Sequence, residues 1–314
     1  MVSMYWDFIM KNVLHFAKAA CLFLIILSFN QLALASQNAN QDNASSKQIK
    51  IADLHHLMEV FQEHNYTTKS WQEGNKEVPR FMFNHVSANW SKTSSHIPVK
   101  QKKGVFFRLM APLILLSNEA ILEERKVAET ADVTSQTFQS LAQKYRLQPS
   151  GHFYSEQDRA ALLQRIDIIP PSLALAQSAE ESGWATSRFT IEGNAFFGQW
   201  DFSGKGMVPK NQRKELGNYG LKRFDSPYAS VQGYMLNINT GNAYHKLRDL
   251  RAQLRAENKT ITGMELATTL DKYSERGQDY IDGIQAMIRY NKLQGVDQAY
   301  LAEEEVIHLI TDSE

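Results

Sequence analysis

Apolar positions recur with a helical period along much of the chain. A short amphipathic helix is predicted where apolar residues stand three and four positions apart, at Leu54, Leu57, Met58 and Phe61. Residues 105–116 are almost wholly apolar and continue into a charged stretch ending at Thr130, which predicts a buried helix that emerges into solvent. Further helical patterns cover residues 134–145, 155–166, 230–239, 261–270 and 279–293. These patterns predict a mainly α protein.

Two stretches interrupt the helical period. Between residues 71 and 90, aromatic and aliphatic residues stand among polar ones without a sustained period, so this part is predicted to be irregular and packed onto another element. Between Gly193 and Phe224 the chain contains six glycines, a density that favours turns and short strands over helix. A small β lobe is therefore predicted inside the helical domain.

The first 50 residues have the composition of a targeting segment and a linker. Lys11 and Lys18 precede the apolar run 19–29, and Ala33-Leu-Ala35 supplies the small residues of a signal-peptidase site. Residues 1–35 are therefore predicted to be a signal peptide for export to the periplasm or cell envelope. The alternative is an uncleaved membrane anchor, although the apolar run is shorter than the roughly 20 residues of a bilayer span. Residues 36–50 are polar and are predicted to be a flexible tether.

One helix is marked at both ends and carries candidate chemistry. Pro171 suits a first helical turn, where a missing N–H costs nothing, and Gly183 is placed to end the helix. Glu180 and Glu181 lie in its last turn, beside Trp184. A carboxylic acid held near aromatic surface can protonate a sugar oxygen. The helical period alone leaves open which of the two glutamates has this role.

Composition excludes several other classes of site. Lys+Arg and Asp+Glu both total 34, so no net charge favours a nucleic-acid partner. The only cysteine, Cys21, lies in the predicted signal peptide, which leaves the mature chain without disulfides or cysteine-ligated zinc. His55, His56 and His64 lack the spacing of a metal site, and no P-loop, dinucleotide fingerprint or nucleophile elbow is present. We therefore expect no metal and no cofactor.

The motifs around the two glutamates resemble a known family. Ala-Gln-Ser-Ala-Glu-Glu-Ser-Gly-Trp, ending at Trp184, and Gly193-Asn-Ala-Phe-Phe-Gly198 resemble the signature of bacterial glucosaminidases, the family that includes flagellar peptidoglycan hydrolases. Phe-Gly-Gln-Trp, Arg-Phe-Asp-Ser-Pro-Tyr-Ala-Ser and Asn-Ile-Asn-Thr, which end at Trp200, Ser230 and Thr240, are similar to its Bax-like branch.

The resemblance implies a domain organisation. It is strong over residues 155–296 and weaker over 105–130. We accordingly expect a lysozyme-like helical catalytic domain with a small β lobe at residues 146–300. A helical region at 51–145 is expected to pack on that domain, and residues 301–314 are expected to form a C-terminal tail. Fold analogy carries part of this expectation.

The resemblance also assigns roles to residues. The family's catalytic acid directly precedes Ser-Gly-Trp, which corresponds to Glu181. The family places a further acidic residue on its β lobe, for which Glu215 is the first candidate and Glu192 and Asp201 are rivals. A route without a second carboxylate, through the substrate's own acetamido oxygen, is the alternative. Tyr273 is similar to a family tyrosine near the cleft, although the residues after it depart from the family motif.

Sugar-binding residues are expected around the acid. Aromatic rings can stack on sugars, and an amide can bind a sugar hydroxyl or fix a turn. The candidates for substrate binding are Trp184, Asn194, Phe197, Trp200 and Tyr234. Most aromatic residues belong to cores, so only Trp184 or Trp200 is expected to face a ligand directly.

The resemblance implies an exported endo-β-N-acetylglucosaminidase that hydrolyses β-1,4 bonds of peptidoglycan, with glycan strands as partner and no cofactor. A muramidase or lytic transglycosylase is the enzymatic alternative, because these use a similar helix-borne glutamate on the other alternating linkage. A cell-wall-binding protein without activity is the alternative from another class. Any membrane contact would come from an uncleaved N-terminal segment alone.

Overall fold

A computed structural model describes residues 47–210, 212, 217 and 219–311. The predicted signal peptide at residues 1–35, residues 36–46 of the predicted tether, and Glu215 lie outside the described residues. In the described part of the chain, residues 48–311 belong to one compact unit.

The described chain is mainly helical, as the sequence predicts. Its α-helices are α1 (Leu54–Glu63), α2 (Thr68–Gln72), α3 (Trp90–Ser95), α4 (Val99–Thr130), α5 (Gln136–Lys144), α6 (Glu156–Arg165), α7 (Pro171–Ser182), α8 (Arg188–Gly193), α9 (Pro227–Thr240), α10 (His245–Ala256), α11 (Gly263–Ala267) and α12 (Gln278–Tyr290). Two short 3₁₀ helices cover Asn242–Tyr244 and Leu293–Gln298. The strands are β1 (Lys47–Lys50), β2 (Glu77–Val78), β3 (Phe81–Phe83), β4 (Trp200–Asp201), β5 (Gly220–Leu221), β6 (Tyr300–Leu301) and β7 (Ile307–Ile310).

Helix α4 is the long core helix of the fold. It joins the apolar segment and its charged continuation into one helix, as predicted, and it contains Pro112. Within the described residues, α4 is the one helix with the length and hydropathy of a membrane-crossing helix. However, 67% of its most apolar window is buried by the rest of the protein. A helix covered in this way serves as protein core, because its apolar side chains already have partners.

Helix α7 is buried on almost every side and lies at the centre of the fold. All its residues from Pro171 to Ala179 are buried, and its small side chains allow neighbouring helices to pack closely around it. Gly183 ends the helix in the left-handed conformation, at φ 57°, as predicted from the sequence. The Asp297 carboxylate accepts hydrogen bonds from Ser172 N (2.8 Å) and Gly263 N (3.0 Å), which fixes the start of the helix.

Two short sheets correct the predictions for residues 47–50, 71–90 and 301–311. Strand β7 lies between β1 and β3 and pairs in parallel with β3, whereas β6 pairs in parallel with β2. The predicted C-terminal tail at 301–314 therefore contains a strand whose Ile307 and Leu309 are buried. The end of the predicted tether is strand β1, and the predicted irregular stretch contains β2 and β3 between the end of α2 and the start of α3. These strands are stable only in pairs formed between distant parts of the chain, which local patterns do not reveal.

The predicted β lobe is present as an antiparallel pair. Trp200 of β4 pairs with Leu221 of β5, and Met207 forms a bridge to Leu221. A Cβ on Gly220 would lie 2.7 Å from the backbone carbon of Gly206, so the two chains approach closely where both residues are glycine. The glycines thus shape the lobe.

Two glycine-to-alanine variants, one of them a control, test the packing on α7. A Cβ on Gly263 would lie 2.1 Å from Ser172 Oγ and 2.6 Å from Leu173 N. Gly263→Ala is therefore expected to lower the free energy of unfolding by about 1–3 kcal/mol, since the clash involves backbone. Gly283→Ala is the matched control: no atom lies within 4 Å of its Cβ, and a helical alanine is expected to add about 0.5–1 kcal/mol. Urea unfolding measures both, and equal midpoints for the two variants would contradict this packing.

Candidate active site

The structure distinguishes the two glutamates at the end of α7. Glu180 is exposed and forms an ion pair with Arg276, at 2.9 Å between Oε1 and Nη2. Glu181 is half-buried, and its Oε1 accepts a hydrogen bond from the Tyr280 hydroxyl at 2.9 Å. The two carboxyl groups therefore have different environments although they are adjacent in sequence.

Burial raises the pKa of the Glu181 carboxyl above its ordinary value, because desolvation disfavours the charged form. The hydrogen bond from Tyr280 opposes this shift, the negative charge of Glu180 adds to it, and the positive charge of Arg276 opposes it. A carboxyl whose pKa is raised keeps its proton to higher pH and is suited to donate it.

A chain of three hydrogen bonds ends on Glu181. The Tyr234 hydroxyl donates to Gln177 Oε1 at 2.6 Å, and Gln177 Nε2 donates to the Tyr280 oxygen at 3.1 Å. Tyr280 then donates to Glu181. Tyr234, Gln177 and Tyr280 are all buried, so water does not compete for these bonds.

Sequence reasoning did not single out Gln177 or Tyr280 as functional. Gln177 precedes Glu181 by one helical turn, so the two residues share a face of α7. That spacing is the feature of the sequence that could have indicated a role for Gln177. Tyr280 lies at the start of α12, and no local pattern links it to α7.

Gly198 holds the β-lobe turn close to the second oxygen of Glu181. Its φ is +62°, and a Cβ at this position would lie 3.2 Å from Glu181 Oε2. The glycine is thus needed both for the backbone conformation and for the space beside the carboxyl. Oε1 faces Tyr280, whereas Oε2 faces the turn that leads into the lobe.

Tyr273 lies in the same cluster. Its ring stacks on that of Tyr280 with 5.2 Å between centroids, and its hydroxyl donates to the Phe197 carbonyl at 3.3 Å. Burial raises the pKa of its phenol well above the ordinary value, so the hydroxyl stays protonated at neutral pH. Tyr273 thus supports both Tyr280 and the backbone just before Gly198.

The side chains of Phe197 and Tyr234 pack in the protein interior. Their rings stack on each other with centroids 3.9 Å apart, and they are 3% and 1% exposed. Both rings are therefore covered by protein, and they hold Gln177 and the Gly198 turn in place. Asn194 ends α8 at φ 51° and donates to the Phe224 carbonyl at 3.1 Å, so its amide fixes the turn into the β lobe.

The two tryptophans of the motif face different surroundings. Trp184 is half-buried against Phe106 and Phe107 of α4, with Lys103 Nζ 4.7 Å from its ring centroid. Its carbonyl accepts a hydrogen bond from the Trp90 indole at 3.0 Å, which anchors the end of α7. Trp200 of β4 is 54% exposed, so it is the ring of the motif that a ligand can reach.

The two described rivals for a second carboxylate, Glu192 and Asp201, both have local partners. Glu192 forms an ion pair with Arg188 at 3.0 Å on α8. Asp201 accepts a hydrogen bond from Ser203 N at 2.7 Å, and such bonds lower its pKa. Both carboxylates have local partners, and Glu215, the first candidate, lies outside the described part of the chain.

The described residues contain no group of three or more His, Cys, Asp or Glu side chains that could hold a metal ion. The three histidines considered from the sequence have local partners instead. His55 pairs with Glu59, His56 accepts from Ala52 N, and His64 bonds to the Val60 carbonyl.

Comparisons with known proteins match the region of the chain that contains Glu181. Residues 157–293 match the family model described as mannosyl-glycoprotein endo-beta-N-acetylglucosaminidase. The chain is similar to Protein bax of Escherichia coli (strain K12), with 30% identity over 219 residues, which covers 66% of this chain and 78% of that protein. No solved structure gives a significant match. Glu181 and its hydrogen-bonded chain lie inside the matched region.

Proposed function

The chain belongs to the Bax-like branch of the glucosaminidase family, and from this premise we propose that it is an endo-β-N-acetylglucosaminidase of peptidoglycan. Membership of the family supports a glycosidase with a glycan substrate. The finer proposal is hydrolysis of β-1,4 bonds with Glu181 as the general acid. We further propose that residues 1–35 direct export, because peptidoglycan lies outside the cytoplasm.

The observation that carries the proposal is the placement of Glu181. Its carboxyl is half-buried, its pKa is raised by burial, and one of its oxygens faces the turn into the β lobe. Cleavage of a glycosidic bond requires a proton for the leaving oxygen while positive charge develops at the anomeric carbon. A carboxylic acid whose raised pKa lets it keep its proton to higher pH can supply this proton.

The second half of the reaction has two routes. Either a β-lobe carboxylate acts at the anomeric carbon directly or through water, with Glu215 as the proposed residue, or the acetamido oxygen of the substrate attacks that carbon. Glu215→Gln separates them. A large loss of kcat supports the carboxylate route, and near-normal kcat supports the route through the substrate.

Reducing-end analysis of digested peptidoglycan tests the linkage specificity. The proposal predicts new N-acetylglucosamine reducing ends. New N-acetylmuramic acid ends would instead identify a muramidase, and anhydro ends a lytic transglycosylase. Binding to glycan without release of fragments would favour a wall-binding role.

Removal of the negative charge of Glu180 and removal of the positive charge of Arg276 should move the pH profile in opposite directions. The acid must be protonated, so activity is expected below the Glu181 pKa and is lost as pH rises through it. Glu180→Gln removes a charge that raises this pKa and should move the alkaline limb to lower pH. Arg276→Gln removes a charge that lowers it and should move the limb to higher pH.

The profile of kcat/KM against pH measures these shifts. Both groups are exposed, so each shift should be a fraction of a pH unit and should diminish in high salt. Shifts of the same sign in the two variants would contradict the assignment of the alkaline limb to Glu181.

Trp200 is the proposed sugar-stacking ring. Loss of one such contact is expected to cost about 0.5–1.5 kcal/mol, so Trp200→Ala should raise KM roughly 2- to 10-fold with little change in kcat. Tyr300→Ala is the control, since Tyr300 is similarly exposed, at 57%, but lies on β6 outside the lobe. Equal KM values for the two variants would remove Trp200 from the substrate site.

A further inference from the structure

The direction of each hydrogen bond in the chain that ends on Glu181 follows from chemistry. An ionised carboxylate only accepts, so the Tyr280 hydroxyl must donate its single proton to Glu181 Oε1. The Tyr280 oxygen can then accept from Gln177, whose Nε2 lies 3.1 Å away. This orientation of the amide presents Gln177 Oε1 to Tyr234, whose hydroxyl donates at 2.6 Å.

Reversal of this chain would require a rotation of a buried amide. Gln177 is 0% exposed, and its two ends are held by different helices, through Tyr234 on α9 and Tyr280 on α12. Rotation of the amide would turn Nε2 toward Tyr234, and the proton of that buried hydroxyl would lose its acceptor, Gln177 Oε1. The Tyr280 hydroxyl therefore keeps pointing at Oε1 when Glu181 takes up a proton.

We infer that Gln177 is a positioning residue that holds the proton of Glu181 on Oε2. It acts through Tyr280, and Tyr234 orients its amide. A proton on Oε1 would face the Tyr280 proton, while the Tyr280 oxygen already accepts from Gln177. Oε2 faces the Gly198 turn instead, where a Cβ would lie 3.2 Å away.

This inference rests on the proposed function for its consequence in catalysis. The proton passes from Oε2 to the glycosidic oxygen, the bond from that oxygen to the anomeric carbon breaks, and the leaving sugar departs with a hydroxyl group. The anomeric carbon forms its new bond by one of the two routes given above, and water finally supplies its hydroxyl group. Glu181 becomes a carboxylate that still accepts from Tyr280. The same bond therefore orients the acid before the step and stabilises the carboxylate after it.

Other charged and titratable groups also surround Glu181. Glu180 and Arg276 affect its pKa through their charges, and Tyr234, Tyr244 and Tyr273 are close enough for its charge to raise their own pKa values. The test must therefore report on the bond to Oε1 itself as well as on a pH profile.

Infrared spectroscopy of the enzyme without glycan reads that bond directly. The C=O band of protonated Glu181 is identified by its absence in Glu181→Gln. With the proton on Oε2, the carbonyl oxygen is Oε1, which accepts from Tyr280. Tyr280→Phe should therefore move the band to higher wavenumber, and Gln177→Met and Tyr234→Phe should broaden it or move it in the same direction.

Kinetics supply the second readout. Gln177→Met is expected to lower kcat about 10- to 100-fold, which is part of what a positioned general acid contributes. Its KM should be nearly unchanged, and the alkaline limb of its pH profile should move to higher pH. Tyr244→Phe is the matched control, because Tyr244 also lies near Glu181 but is outside the chain of hydrogen bonds, and its kcat should stay within about twofold of the wild type.

The outcomes separate the inference from the proposed function. A C=O band that is identical in the wild type and in Tyr280→Phe would overturn the inference, and so would a normal kcat and pH profile in Gln177→Met. A band that moves as expected in an enzyme that cleaves no glycan would support the proton placement and overturn the proposed function.

Discussion

Glu181→Gln is expected to reduce the release of reducing ends from peptidoglycan by about 10²–10⁴-fold, the usual contribution of a general acid. Glutamine fills the same space and can still accept from Tyr280 through its carbonyl oxygen, but it has no proton to give to the leaving oxygen. The loss should therefore appear in kcat, whereas the affinity for glycan should be nearly unchanged. Initial rates on purified peptidoglycan measure this effect.

Glu180→Gln is the matched control for this prediction. Glu180 precedes Glu181 directly, but its exposed side chain pairs with Arg276. The control should retain most of the activity at its own optimum pH, and both variants should unfold at the same temperature as the wild type. Loss of activity in Glu180→Gln together with full activity in Glu181→Gln would show that Glu180, and not Glu181, is the acid.

Arg251→Met is expected to lower the free energy of unfolding by about 3–5 kcal/mol, the cost of breaking a buried ionic network. Arg251 is 1% exposed and donates to the carbonyl oxygens of Asp167 (3.0 Å) and Ile168 (2.8 Å). These residues connect α6 to α7, so Arg251 fixes the backbone that leads into α7. Burial lowers the pKa of its guanidinium to about 10, which leaves it charged at neutral pH.

Lys246→Met on the same helix is the control for this loss. Lys246 is 55% exposed and pairs with Asp271 at the surface, so its removal should cost less than about 1 kcal/mol. Urea unfolding followed by circular dichroism measures both variants. Equal stability of the two would show that the buried network contributes no more than a surface pair.

The sequence was sufficient for features that depend on local chemistry. Proline at the start and glycine at the end marked α7, because each residue favours a backbone conformation found at one helix end. The β lobe followed from its glycines, two of which approach each other closely. Neither feature needed information from distant parts of the chain.

Features that depend on distant partners were not predictable in this way. Strand β7 pairs with β3, and β6 pairs with β2, across nearly the whole described chain, so the C-terminal residues had the pattern of a tail. The choice between Glu180 and Glu181 needed the family resemblance, since both orientations suit a helix. In the structure the two carboxyl groups differ because α12 places Tyr280 against Glu181.

Substrate-binding residues were the hardest to predict. Five residues of the motif region had suitable chemistry, but burial separates Phe197 and Tyr234 from the exposed ring of Trp200. The sequence also carried no sign that Gln177 connects α9 to α12, because its partners come from helices far apart in the chain. Packing between helices creates both distinctions.

The most direct test of the account is reducing-end analysis of purified peptidoglycan digested in parallel by the wild-type protein and by Glu181→Gln. New N-acetylglucosamine reducing ends are expected from the wild type and almost none from the variant. Equal release by both proteins, or release of ends other than N-acetylglucosamine by the wild type, would contradict it.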